Sequence, residues 1–271
     1  AGDRWLTDFL RLTVEGTNGE TGGGASPTTG IIGRLGGIGA RPEAIGLVSD
    51  GDGAVAAIAA ALSLAGSAAR GDRLPGDVIV STHICPEAPT EPHDPVPFMG
   101  TPVSMEIMNE REVSADMDVV LSIDTTKGNR VLNWKGLAIT STVIQGWVLP
   151  VAPDLVELYE HVCGIPARVL PLSTYDITPY GNDLYHINSI LQPAVATDRP
   201  VVGLAITAET AVPGSATGAS HPADIALAAT FAIEAAKRFG AGRLSFYDEE
   251  EFAEATRRYG EMNRLQTMGD D

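Results

Sequence analysis

The stretch Thr29-Gly30-Ile31-Ile32-Gly33-Arg34-Leu35-Gly36-Gly37-Ile38-Gly39, with Leu47-Val48-Ser49-Asp50-Gly51-Asp52-Gly53-Ala54 after it, reads as strand, glycine loop, acidic loop and helix. Glycines at 33, 36, 37 and 39 allow backbone to approach backbone, or a ligand, where any side chain would clash. Asp50 and Asp52 then stand at the mouth of an alanine-rich helix, where a cation or polar substrate is expected to be held.

Outward from this unit the pattern repeats. Leu6 to Val14 alternates like a strand, and the glycine-rich segment Glu15 to Pro27 reads as a loop. Ala54 to Ala69 predicts a helix whose small residues suit close packing on a sheet, ended by Arg70-Gly71. Asp77 to Thr82 and Asp118 to Asp124 are buried-type strands, each ending in polar residues, and Pro200 to Ile206 is a third. Val131 to Val151 alternates like antiparallel strands. A helix capped by Asp154 follows to Cys163, and Arg168 to Leu172 is a predicted strand. Asp224 to Phe239 predicts a helix, Phe246-Tyr247 a short strand, and Glu249 to Tyr259 a last helix. The alternation predicts an α/β fold, three-layered, with a mixed, mostly parallel sheet and helices on both faces.

With 271 residues, one domain over 1–271 is expected. Six prolines between Cys85 and Pro102 make 85–102 a loop, read as a lid or substrate wall. No internal repeat is found. Acidic residues outnumber basic ones by 35 to 18, and the formal charge of −17 disfavours nucleic-acid and anionic-membrane partners. The acidic runs Asp248 to Glu251 and Asp270-Asp271 read as solvated charge. No apolar run is read as long enough to span a bilayer and no signal peptide is seen, so the expectation is a cytoplasmic protein. Two cysteines, Cys85 and Cys163, exclude a disulfide framework or cysteine-rich zinc module, leaving oxygen and imidazole as metal donors.

Candidate chemistry sits where strands end. Asp50 or Asp52, His83, Asp124 and His221 fall at four such junctions. In an α/β sheet these carboxyl ends face one crevice, so residues far apart in sequence meet there. Two carboxylates with two imidazoles suit zinc or a similar divalent ion. Each has a structural alternative: Asp52 as helix cap, His83 as a core histidine, Asp124 bonded to its own turn, His221 as a helix start. Lys127 is placed to orient a substrate carboxylate or to remain a solvated turn lysine. The segment Tyr175 to His186, with Tyr180, Asn182 and His186, reads as a recognition loop, and Glu209, after a buried strand, as a general base. Cys85 with His83 is a lesser nucleophile pair.

Ile31 to Ala60, Thr82-His83-Ile84-Cys85-Pro86, Phe98-Met99-Gly100, Ile123 to Asn129, Asp176 to Asn182 and Gly218-Ala219-Ser220-His221 together resemble the bacterial domain-of-unknown-function family numbered 1177. More distantly, the order of elements is similar to that of co-catalytic zinc aminopeptidases of the glutamyl aminopeptidase type. That resemblance implies metal ligands at Asp50, His83, Asp124 and His221, a zinc cofactor, a small-molecule or short-peptide ligand, and a homo-oligomer. It also shows departures: Arg34-Leu35-Gly36 stands where His-x-Asp is expected, and Thr82-His83 where a general-base glutamate is expected. The expectation is therefore a hydrolase of small amides or peptides with one metal ion or none, His83 or Glu209 moving the proton. Arg34 is expected at the substrate, or paired with Asp50 and Asp124 in place of metal. The alternative is a non-catalytic ligand-binding or subunit-forming relative.

Overall fold

A computed structural model describes residues 6–34 and 46–267. Its strands are β1 (Asp8–Val14), β2 (Thr29–Gly33), β3 (Val78–Ile84), β4 (Thr90–Glu91), β5 (Phe98–Met99), β6 (Val119–Thr125), β7 (Gly136–Ile144), β8 (Trp147–Leu149) and β9 (Val201–Thr207). The helices are α1 (Asp52–Ala69), α2 (Met105–Glu112), α3 (Pro153–Cys163), α4 (Pro222–Gly240) and α5 (Glu249–Tyr259). Seven strands form one sheet in the order β1-β3-β2-β6-β9-β7-β8. β3, β2, β6 and β9 run parallel, while β1, β7 and β8 pair antiparallel at the two sides. The expected mixed, mostly parallel sheet is thus present, with helices on both faces.

The four parallel strands are buried on both sides, which is why they read as apolar runs without alternation. On one face Ile31, Val80, Leu121, Val202 and Leu204 pack with α1, α3 and α4. On the other Ile32, Ile79, Val120, Val201 and Ala205 pack with Ile190, Leu191 and Ala194 of a 3-10 turn, Ser189–Val195. α1 approaches the sheet closely because Gly33 and Gly53 face each other. A Cβ on Gly33 would stand 2.7 Å from Ala54 Cα and from Gly53 O. By length and composition Ser49–Ala69 is long and apolar enough to cross a membrane, which corrects the sequence expectation. In the fold this helix packs on the sheet beside α4.

Several local expectations change. Asp154 does not cap α3. Ala152 is the N-cap, Pro153 fills the first turn, and the Asp154 carboxylate accepts from Ser245 N at 2.7 Å. Residues 168–172 form only an isolated bridge, Ile139 to Val169, on the part of β7 that β8 does not reach. Phe246-Tyr247 is not a strand, although Phe246 O accepts from Thr142 Oγ1. The segment 85–102 is a loop carrying the two-residue strands β4 and β5. The acidic run is confirmed as helical charge, with Asp248 capping α5 through Glu250 N and Glu251 N.

Candidate active site

Side-chain alternation along the parallel strands sets the site. Residues two apart share a face, so Arg34, His83, Asp124 and Thr207, at or just beyond the ends of β2, β3, β6 and β9, follow Ile32, Ile79, Val120 and Ala205 onto one side. Arg34 N donates to Ile123 O at 2.8 Å and so extends the ladder one step past β2. Gly33, Thr82 and Thr125 face the opposite way, toward α1. Thr82 Oγ1 donates to Gly33 O at 2.8 Å.

A cavity of about 150 Å³ opens at these strand ends. Arg34, Asp50, Asp124, Lys127, Asp176 and Gln192 supply its polar wall, and Phe98, Met99, Met105 and Val212 are among its apolar residues. The proline-rich loop does line the cavity, through His93 and residues 95–101.

Asp50 lies in a 3-10 turn just before α1 and is 8% exposed. Its Oδ1 accepts from Thr125 Oγ1 at 2.8 Å and its Oδ2 from Met99 N at 3.0 Å. Asp50 N in turn donates to Gly214 O at 3.2 Å, and a Cβ at Gly214 would overlap the Asp50 carboxylate. Burial raises the Asp50 pKa, and the hydrogen bonds and the Lys127 charge offset only part of this. Asp124 receives its own neighbour's Thr125 N at 2.7 Å, as the turn alternative anticipated. Burial, reinforced by the Asp50 charge, pushes the Asp124 pKa up to about 8.

Lys127 is buried rather than a solvated turn lysine. Its Nζ lies 2.5 Å from Asp52 Oδ2 and 3.4 Å from Ser49 O. An ammonium has three donors, so among the described residues one remains on a side chain that lines the cavity. Asp52, at the first position of α1, is therefore the lysine's counter-ion and makes no side-chain cap. Its other oxygen, Oδ1, is buried without a partner among the described residues.

Arg34 does not pair with Asp50 or Asp124. Its Nη1 donates to Glu112 Oε2 at 2.6 Å and Asn109 Oδ1 at 3.4 Å, and its Nη2 to Gln192 Oε1 at 2.9 Å and Met105 Sδ at 3.1 Å. Glu112 bridges Arg34 and His83, meeting His83 Nδ1 through Oε1. Burial alone would raise the Glu112 pKa, but the Arg34 charge and the two hydrogen bonds outweigh it and hold the pKa below its usual value. Glu112, Asn109 and Met105 all lie on α2, which the sequence reading passed over. Its charged eight residues show no apolar stripe, and the legible signal was Ser104, whose Oγ accepts from Ile107 N at 3.3 Å.

The expected ligand set is not brought together. His83 is buried against the Phe9 ring and Glu112, outside the cavity lining. His221 is the exposed N-cap of α4, and Glu209 is exposed beyond β9. Among the described residues no group of three or more His, Cys, Asp or Glu side chains is placed to hold a metal ion. Asp50, Asp124, Asp176 and the His93 imidazole all line the cavity but are not grouped to hold one ion, so the described residues do not fit a zinc cofactor. Of the expected substrate-binding residues Arg34 and Lys127 line the cavity. Tyr180 and His186 instead pack on each other with ring centroids 5.0 Å apart, and exposed Asn182 accepts from Leu184 N. Burial raises the Tyr180 pKa to about 12 and lowers that of His186. From the recognition loop it is Tyr175, Asp176 and Ile177 that reach the cavity. Cys85 is buried in a small cluster with Val48, Ala88 and Met99. Leu35 and Gly36, where the resemblance marked missing ligands, and the glycines at 37 and 39 lie outside the described residues.

Residues 1–269 match the family described as Protein of unknown function (DUF1177), and the chain belongs to it. Comparison with curated proteins finds no match. Among solved structures the chain is similar to the bottromycin maturation enzyme BotP. The identity is 19% and the TM-score 0.49, over 83% of this chain and 54% of that one. It is also similar to a TET aminopeptidase from the marine sediment archaeon Thaumarchaeota archaeon SCGC AB-539-E09, with 14% identity and a TM-score of 0.41 over 71% and 49%. A cytosol aminopeptidase from Coxiella burnetii gives 18% and 0.43 over 88% and 56%. The chain spans about half the length of these solved chains.

Proposed function

We propose that the protein hydrolyses small amide or peptide substrates in this cavity, with Asp50 and Asp124 moving the proton and Lys127 polarising the carbonyl. The observation that supports this reading is the convergence of the three side chains, from two separate connections, on one cavity wall. Two carboxyl groups with different surroundings can divide the work of base and acid. One carboxylate takes a proton from water as its oxygen attacks the carbonyl carbon, and the free N–H of Lys127 stabilises the developing oxyanion. The protonated partner then delivers a proton to the nitrogen as the C–N bond breaks, leaving a carboxylic acid and an amine. An Asp124 pKa of about 8 keeps that acid protonated at neutral pH.

The test is turnover of a panel of small amides and dipeptides by wild-type protein and by Asp124→Asn, alongside metal analysis of protein purified without chelator. Turnover that Asp124→Asn reduces by about a hundredfold or more is expected. A wild type that cleaves nothing in the panel overturns hydrolysis. Chelator-sensitive turnover with a stoichiometric divalent ion overturns the metal-independent route.

A further inference from the structure

Arg34 is held by acceptors of unequal strength. Glu112, Asn109 and Gln192 present carboxylate and amide oxygens, whereas Met105 presents a thioether, a weak acceptor on a flexible chain. Arg34 and Met105 both line the cavity, while Glu112 and Asn109 do not. The weakest of the guanidinium's contacts is thus made by a side chain that lines the substrate space. Asp50 and Asp176 line the same space, so a further anion there meets two carboxylates. An uncharged carbonyl oxygen meets no such opposition and is a stronger acceptor than sulfur.

We propose that Arg34 Nη2 is the binding position for a second, uncharged carbonyl oxygen of the substrate, which displaces the Met105 thioether. The substrate class is then a small molecule with two amide carbonyls, one opposite Lys127 and the other on Arg34. This rests on the reading of the cavity as the substrate site, and it makes Met105 a specificity-determining residue. Glu112 becomes the positioning residue that keeps the guanidinium in place.

Equilibrium binding of three probes tests it. N-acetylglycinamide has both carbonyls, N-propylacetamide replaces the second carboxamide with an ethyl group, and N-acetylglycinate makes that end an anion. Wild-type protein is expected to prefer N-acetylglycinamide over N-propylacetamide by about tenfold, the worth of a hydrogen bond to a charged donor. In Met105→Gln the new amide oxygen competes for Nη2, and the preference collapses toward unity. In Met105→Leu, which removes the sulfur and keeps the volume, the preference persists or grows. Equal binding of the first two probes to wild type, no saturable binding of N-acetylglycinamide, an undiminished preference in Met105→Gln or a lost one in Met105→Leu overturns the proposal. Tighter binding of N-acetylglycinate than of N-acetylglycinamide overturns the uncharged assignment. Binding and turnover separate the two readings. A Met105-dependent preference without cleavage removes hydrolysis alone, and cleavage without the preference removes the Arg34 position alone.

Discussion

Asp124 concentrates the chemistry of the site in one titration. Its pKa stands at about 8 in the fold against an ordinary 3.8, because burial and the Asp50 charge both disfavour its ionised form. Between those values the folded state holds a proton that the unfolded chain has released, so this residue makes stability fall as pH rises through that window. Below it both states are protonated and the contribution is constant. Asp124→Asn removes the dependence. Its denaturation midpoint is expected to fall less between pH 5 and pH 8 (roughly the window this linkage sets) than that of wild type. Parallel slopes for the two proteins would show that Asp124 does not hold the proton.

At the scale of elements the site depends on how near α1 comes to the strand ends. Gly33 and Gly53 create that approach, and the Gly33 Cβ position lies 2.7 Å from helix backbone that cannot step aside. Gly33→Ala is expected to cost about 1–3 kcal/mol, as overpacked sites do, measured by chemical denaturation. Because α1 begins at Asp52, the same change displaces the counter-ion of Lys127. A variant as stable as wild type would mean the helix shifts without resistance. This approach was legible in the sequence, since the glycines and the acidic residues flank one strand-to-helix connection. So were the four parallel strands, three of them from long apolar runs and β2 from the short Ile31-Ile32 pair between glycines. α2 and the 3-10 turn were not legible. Both are short, and Glu112, Asn109 and Gln192 take their meaning from Arg34, far away in the chain. The histidines misled for a related reason: the carboxyl end of a strand gives a residue's height in the sheet but not what packs beside it. His83 has Glu112 and Phe9 as neighbours, and His221 has solvent.

Across the whole molecule the dominant quantity is the charge of −17. Such an excess repels itself in the compact state, and added salt relieves the repulsion as the screening length falls from about 30 Å at 0.01 M to about 8 Å at 0.15 M. The buried pairs Arg34–Glu112 and Lys127–Asp52 are shielded from that screening. The melting temperature is therefore expected to rise between those two salt concentrations in calorimetry at pH 7. An unchanged or lower value would mean that exposed attractive pairs outweigh the net repulsion.

The Asp50 turn is secured from late in the chain. Ser49 N donates to Ala216 O, Asp50 N to Gly214 O, and Val48 bridges to Thr217. During synthesis, then, the aspartate emerges long before the backbone that fixes it. Until the 213–217 segment leaves the ribosome, the backbone acceptors that hold the Asp50 turn are missing. Nascent chains stalled before residue 213 should carry Asp50 and Asp124, yet leave amide substrates uncleaved.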